Sequence, residues 1–268
     1  MAQRLRTEGT MKLTQRLYND QVEIDFWPES HRYQLKGRKD YLVSVTGATG
    51  VLDKSRALLP WATRLNASHI LNFLDGKAGQ MLSVEEILPI VEESVKQYEL
   101  ARDRAATIGG LVHDWIESYA NAKINKTELP PLPDDINLLP GINAFLSWER
   151  DHHVVFVAAE RLVFSQKYEY VGLLDLLAYV DGVLTLIDNK TSGGIYTDMR
   201  YQVTGYRLAY EEEHGPVIGN QMLLRIDKET GVPAVHEMSK EEHEANIPIF
   251  LACLAIKKRE KEYAKGWS

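Results

Sequence analysis

One aspartate set inside an apolar strand constrains this chain more than any other feature. Val171-Gly-Leu-Leu-Asp175-Leu-Leu-Ala-Tyr-Val180 and Val183-Leu-Thr-Leu-Ile-Asp188-Asn189-Lys190 are two runs rich in Val, Leu, Ile and Tyr on either side of Asp181-Gly182. An Asp-Gly pair between such runs is a strong hairpin signal, so two antiparallel strands are expected. Strand side chains alternate faces, which predicts Leu173, Asp175, Leu177 and Tyr179 on one face and Leu184, Leu186, Asp188 and Lys190 on one face of the partner. An unpaired carboxylate in an apolar strand is costly to desolvate and calls for a cation or hydrogen-bond donors. Asp188 and Lys190 on the neighbouring strand would complete such a site, whose oxygen ligands suit Mg²⁺ or Mn²⁺ better than zinc.

The flanking sequence extends the pattern. Val154 to Phe164 reads as a preceding strand containing Glu160, Thr191-Ser192 follow the lysine, and Gln202 and Tyr206 fall one helical turn apart on a later helix. Taken singly, these are a solvated strand end, a turn and an amphipathic helix face, and an Asp-x-Lys triplet occurs by chance in most long chains. The ordered set, Glu160, Gly172 with Asp175, Asp188-Asn189-Lys190-Thr191-Ser192, then Gln202 and Tyr206, resembles the successive motifs of the PD-(D/E)XK nuclease superfamily. The likeness is greatest to its RecB-like exonuclease branch, which includes many phage nucleases and the mitochondrial genome-maintenance exonuclease. Two departures stand out: Leu174 replaces the proline that names the superfamily, and Asn189 is a polar middle residue in the triplet.

The resemblance implies a restriction-endonuclease-like core and metal-dependent hydrolysis of DNA, single- or double-stranded and favoured at ends, leaving 5'-phosphates and 3'-hydroxyls. It implies that Asp175 and Asp188 bind Mg²⁺ or Mn²⁺, with Asn189 a further ligand through its carbonyl and Glu160 assisting a second metal or orienting the first. Lys190 would hold the attacking water, Gln202 and Tyr206 would hold substrate or the metal shell, and Thr191 and Ser192 would hold substrate. Gly109 or Gly110 followed by His113 matches the branch's Gly-then-His order, so His113 joins the candidate ligands, although a lone helical histidine reads equally as a core or capping residue. DNA recombination, repair or processing of a phage or bacterial type follows from the same likeness, with a single-strand annealing or replication protein as a conceivable partner. The alternatives are an inactive nucleic-acid-binding protein of the same fold, against which the costly acid cluster argues, and an endonuclease, for which no recognition module is evident.

Composition sets the outer bounds. At 268 residues and 44% hydrophobic content the chain has enough apolar material for a sizeable core. The start, Met1-Ala-Gln-Arg-Leu-Arg, lacks a signal-peptide core and no apolar run is long enough for a membrane span, so a cytoplasmic protein is expected. The single cysteine, Cys253, rules out an internal disulfide and a four-cysteine iron-sulfur cluster. A formal charge of −7 excludes a uniformly basic nucleic-acid binder but leaves room for a local basic track.

Element order predicts an α/β fold with a central mixed β-sheet flanked by helices, preceded by a helical region. Residues 1–20 read as a polar arm, 21–133 as short strands and helices packed on the core, and 134–268 as the core itself, in one compact unit with 21–133. Val22–Trp27 and His31–Leu35 read as strands separated by turns. Ser44-Val-Thr-Gly lacks the adjacent Gly-Lys of a phosphate-binding loop, so no ATP site is expected; with Lys54 and Trp61 the segment resembles the lead-in of the phage and mitochondrial exonucleases, and in bland terms it is a turn feeding a helix from about Lys54 to Phe73. Ser83 and Glu86 form a capping box for a helix expected to break near Gly109-Gly110, after which Leu111, Trp115, Ile116 and Tyr119 would face the core. Pro130-Pro-Leu-Pro marks a linker, after which Asp134-Asp135 would cap a helix carrying Leu138, Ile142, Phe145, Leu146 and Trp148. His152 and His153 are neighbours on a strand and would face opposite ways, so neither is placed in the site. Pro216–Asp227 reads as a buried strand, Val232–Met238 as an edge strand, and a capping box at Ser239 and Glu242 opens a final helix with Ile247, Phe250, Leu251, Leu254 and Ile256 inward.

Overall fold

The computed structural model describes residues 12–266. Three short strands open the chain, β1 (Leu13–Leu17), β2 (Val22–Trp27) and β3 (Arg32–Leu35), paired antiparallel in that order. Alternation buries Ile24 and Phe26 on one face, where Phe26 stacks on Tyr33 at 4.7 Å, and this face packs against Leu162, Phe164 and Val171. Residues 13–17, read from sequence as part of a polar arm, are therefore a paired strand. Residues 1–11 of that arm lie outside the described residues.

The Ser44-Val-Thr segment is more than a turn. Strand β4 (Val43–Ser44) leads directly into α1 (Val45–Thr49), and the Ser44 hydroxyl caps the helix by accepting from the Gly47 N–H at 3.0 Å. Val45, Ala48 and Thr49 are fully buried.

The chain divides into two compact units, Asp53–Leu111 and the residues on either side of it. The division thus falls after Leu52 and Leu111, whereas the sequence put one boundary at residue 133. The helical unit contains α2 (Ser55–Leu74) and the first turns of α3 (Val84–Asn125), joined by an edge-to-face contact of Trp61 with Tyr98 at 5.2 Å. Its capping box is formed as expected: the Ser83 N–H donates to Glu86 Oε2 at 2.8 Å and the Glu86 N–H to Ser83 Oγ at 3.3 Å.

Helix α3 does not break at Gly109-Gly110. An interior glycine costs about 1 kcal/mol relative to alanine, which is too little to end a 42-residue helix. The buried stripe beyond it is Val112, Ile116, Tyr119 and Ala120. Leu111, expected in the core, is exposed, and Trp115 is half-buried, its indole N–H donating to the Pro131 carbonyl at 2.9 Å and so pinning the proline-rich linker. Helix α4 (Leu139–Asp151) starts later than the Asp134-Asp135 pair suggests, with Pro140 in its first turn. Asp135 instead closes a local turn by accepting from the Asn137 N–H at 2.9 Å. Ile142, Phe145 and Trp148 are buried as expected, while Leu146 is half-buried.

The main sheet is mixed, as the element order predicts. It comprises β4, β5 (Val154–Ser165), β6 (Tyr170–Val180), β7 (Val183–Lys190), β8 (Asn220–Ile226) and β9 (Pro233–Met238). The pairs β4–β6 and β7–β8 are parallel and the others antiparallel, with β9 at the edge, where Pro233 breaks no inner ladder. Asp181 and Gly182 have φ of 50° and 86°, the left-handed pair that a two-residue hairpin turn needs. Asp181 is also bound by His152 Nδ1 at 2.8 Å and by the His153 N–H at 2.8 Å, so the two histidines secure the turn. Helices α5 (Thr197–His214) and α6 (Lys240–Gly266) cover one face through Val203, Tyr206, Ala209, Phe250 and Leu254. On the other, Tyr119, Phe145 and Phe156 form an aromatic cluster with centroids 6.0–6.3 Å apart. The inward stripe of α6 ends at Leu254, because Ile256 is exposed. Its capping box is half formed: Ser239 Oγ accepts from the Glu242 N–H at 3.1 Å, but the Glu242 carboxylate turns to Arg200 at 3.0 Å. Among the described residues no helix is long and apolar enough to cross a membrane.

Candidate active site

The site lies where one strand changes partners. Because β5 pairs with β6 along its whole length, β4 and β7 must share the opposite edge of β6. β4 takes Tyr170 and Val171, and β7 takes Leu176 to Val180, which leaves Gly172 to Asp175 between them without a strand on that side. The Asp175 carboxylate spans the opening by accepting from the Asn189 N–H at 2.7 Å, in place of a ladder bond. The ladder pairs Ala159 with Leu176 and Arg161 with Leu174, so Glu160 stands across from Asp175, with φ at 47°.

This irregularity corrects the predicted alternation. Leu174 and Leu177 both join the cluster under α5, whereas Leu173 packs toward the three-stranded sheet, so Leu173 and Leu177 do not share a face. On β7 alternation holds. Asp188 and Lys190 project together, with Lys190 Nζ 2.7 Å from Asp188 Oδ2.

Helix α5 supplies the floor. Lys190 Nζ donates to Gln202 Oε1 at 2.9 Å, and the Tyr206 ring lies over Gly172. A Cβ on Gly172 would sit 2.7 Å from two Tyr206 ring carbons and 2.9 Å from Val45 Cγ2, so only glycine admits this packing. His113, on α3, brings Nδ1 to 3.6 Å from Asp175 Oδ2. A cavity of about 320 Å³ opens over these groups, lined by His113, Glu160, Asp175, Asp188, Asn189, Lys190, Thr191, Ser192 and Tyr206 among others. Of the residues singled out in the sequence, only Gln202 is off the cavity wall, lying behind Lys190.

Electrostatics follow from burial. Asp188 is pushed up to about 6 by burial and by Asp175, with Lys190 pulling the other way. Asp175 is raised by burial against the opposing pull of Lys190 and the Asn189 N–H. Glu160 is pushed up to about 9, first by burial and then by Asp175, Glu117, Asp114 and Asp188. Burial and the Lys190 charge lower His113, which keeps it neutral and able to ligate. Burial also acts to lower Lys190, but Asp188 and Asp175 outweigh it and the ammonium is held in its charged form. The site thus concentrates negative charge that one lysine does not neutralise.

Among the described residues no three His, Cys, Asp or Glu side chains converge tightly enough to form a closed metal cage. The donor set is nonetheless of the kind Mg²⁺ and Mn²⁺ accept. Mg²⁺ keeps several waters and needs only one or two carboxylates. Asp188 Oδ2 is buried with the Lys190 ammonium at 2.7 Å as its partner, and Asn189 Oδ1 is buried and accepts no hydrogen bond. By alternation, however, the Asn189 side chain points away from Asp188, so its amide oxygen is not aimed at the same point.

No protein-family model matches this chain. No curated protein matches it either. Among solved structures it is similar to an alkaline exonuclease (LHK-Exo) from Laribacter hongkongensis, at 13% identity over 77% of this chain and 97% of that chain, with a TM-score of 0.30. The same exonuclease in complex with dAMP matches at 14% identity, with the same coverage and TM-score.

Sequence reasoning missed the wall contributed from the chain's start. His31 and Tyr33 from β3 and its approach, with Ser44 and Thr46 from β4 and α1, also line the cavity. The Ser44-Val-Thr motif was the one available signal. It could not reveal that parallel pairing of Val43 with Tyr170 carries the segment to the site.

Proposed function

We propose that this chain is a metal-dependent deoxyribonuclease, acting as an exonuclease that leaves 5'-phosphates and 3'-hydroxyls. The observation that carries this reading is the pair Asp175 and Asp188, set beside the opening between β4 and β7 on the edge of β6, with Lys190 held against Asp188. A cluster so costly to bury has no packing purpose. Its order and spacing also match the superfamily named above.

In this reading Asp175 and Asp188 would hold Mg²⁺ or Mn²⁺, with Glu160 and His113 as adjacent ligands. A metal held there would supply a bound water of lowered pKa and would offset charge on the phosphate. Lys190, kept charged by its acids, orients the attacking water and balances the phosphorane-like transition state. As the water oxygen bonds to phosphorus, the bond to the 3' oxygen breaks; the water's proton passes to solvent, and the departing 3' oxygen takes up a proton from solvent to leave as a hydroxyl. Thr191, Ser192 and Tyr206 position the nucleotide. Recombination, repair or processing of DNA in the cytoplasm is the setting this activity fits.

Digestion of end-labelled linear DNA and matched closed circles, single- and double-stranded, with Mg²⁺, Mn²⁺ or EDTA tests the reading. Metal-dependent loss of linear DNA alone, abolished by Lys190→Ala, is expected. Cleavage of circles would make the protein an endonuclease, and binding without cleavage of any substrate would reject catalysis.

A further inference from the structure

Thr49 belongs to no strand of the site and touches none of its acids, yet it is fully buried and its hydroxyl meets Gln202. Gln202 Nε2 donates to Thr49 Oγ1 at 3.2 Å, and Thr49 Oγ1 in turn donates to the Thr46 carbonyl at 3.4 Å. On its other side Gln202 Oε1 accepts from Lys190 Nζ at 2.9 Å, and Lys190 reaches Asp188 Oδ2 at 2.7 Å.

Only one assignment of donors satisfies this chain. An ammonium has no lone pair, so Gln202 must turn its oxygen to Lys190 and its NH₂ to Thr49. The threonine hydroxyl gives its hydrogen to Thr46 and keeps a lone pair for that NH₂. With the hydroxyl removed, the amide nitrogen would be buried without an acceptor, at a cost comparable to the bond that holds Lys190. The amide then gains by rotating away.

We propose that Thr49 is a positioning residue for Lys190: through the Gln202 amide, α1 holds the lysine against Asp188 and over the cavity. This rests on the nuclease reading for its catalytic consequence, though not for its geometry. It also gives the Ser44-capped helix a task, since the cap at Gly47 fixes the turn that presents Thr49.

Thr49→Val keeps the volume and β-branching while removing the hydroxyl, and Thr49→Ser keeps the hydroxyl. On linear DNA with Mg²⁺, Thr49→Val is expected to lower kcat about tenfold with KM within about twofold, and Thr49→Ser to recover most of the loss. Crystal structures of both variants provide a readout independent of cleavage: Gln202 Oε1 should leave Lys190 Nζ in the valine variant and stay in the serine variant. Retention of that contact in Thr49→Val would overturn the proposal, whether or not DNA is cut. Unchanged kcat in Thr49→Val, or an equal fall in both variants, would overturn the catalytic role. A wild-type protein inert toward all DNA would instead reject the nuclease reading, and the crystallographic arm would still decide the role of Thr49.

Discussion

Lys190 Nζ lies 2.7 Å from Asp188 Oδ2, and the two side chains are 18% and 2% exposed. The aspartate therefore depends on this lysine for charge compensation far more than a surface carboxylate would. Removing one partner of a buried pair leaves an uncompensated charge. In metal-free protein Lys190→Ala should destabilise the fold by about 3 kcal/mol and push Asp188 above its already raised value of about 6. Urea denaturation in EDTA measures the first effect, and carboxyl titration by NMR the second. Full stability in the variant would show that solvent already shares the charge.

Glu160 should behave in the opposite way. Its carboxyl is raised from the ordinary 4.5 to about 9, so the fold favours the protonated acid while the unfolded chain ionises near 4.5. The stability it allows is fully present below pH 4.5 and is lost as pH rises toward 9. In EDTA, Glu160→Gln should flatten that decline and stabilise the protein at pH 8 by on the order of a few kcal/mol, while lowering nuclease activity. Thermal melts from pH 5 to 9 measure the slope, and a variant with the wild-type slope would discard this account.

Gly172 bears on both packing and site. Its missing Cβ leaves the space that the Tyr206 ring occupies at 2.7 Å, between strand and helix that are both buried. Gly172→Ala must push Tyr206 or Val45 aside, and overpacking of this kind costs about 1–3 kcal/mol. A lowered denaturation midpoint together with reduced activity is expected. An alanine variant as stable as wild type would mean that α5 shifts without cost.

His243 sets a separate pH limit. It is buried on the inner side of α6, its Nδ1 makes no hydrogen bond, and burial, then the nearby Arg207, lowers it from 6.5 to about 4. The fold keeps the imidazole neutral while the unfolded chain takes up a proton below pH 6.5, so stability is lost as pH falls from 6.5 toward 4. The loss is at most about 3 kcal/mol. Equilibrium unfolding across that range, compared with His243→Gln, isolates the contribution. An identical acid limb in the variant would assign it to other groups.

Much of this could be read along the chain because the relevant forces are local. The Asp181-Gly182 turn sets its hairpin through two positive φ angles, period two puts Asp188 beside Lys190, and period 3.6 puts Gln202 and Tyr206 on one side of α5. The anomaly of Asp175 is visible in sequence because a carboxylate among leucines needs a reason. Helix ends were harder to place: two glycines at 109–110 look like a break, but their cost is small beside that of a helix already propagated on both sides.

What the sequence by itself determined was the order of the candidate residues from Glu160 to Tyr206 and the faces of β7 and α5, since side-chain direction follows from backbone period where the element is regular. Tertiary structure decided which of those faces meet. The sharing of one edge of β6 by β4 and β7, the slip of alternation at Asp175, the stance of Glu160 across from it and the bond from Gln202 to Thr49 all join residues distant in the chain. No local periodicity carries such information, because strand pairing across long loops is selected by the burial of the whole sheet rather than by the residues that pair.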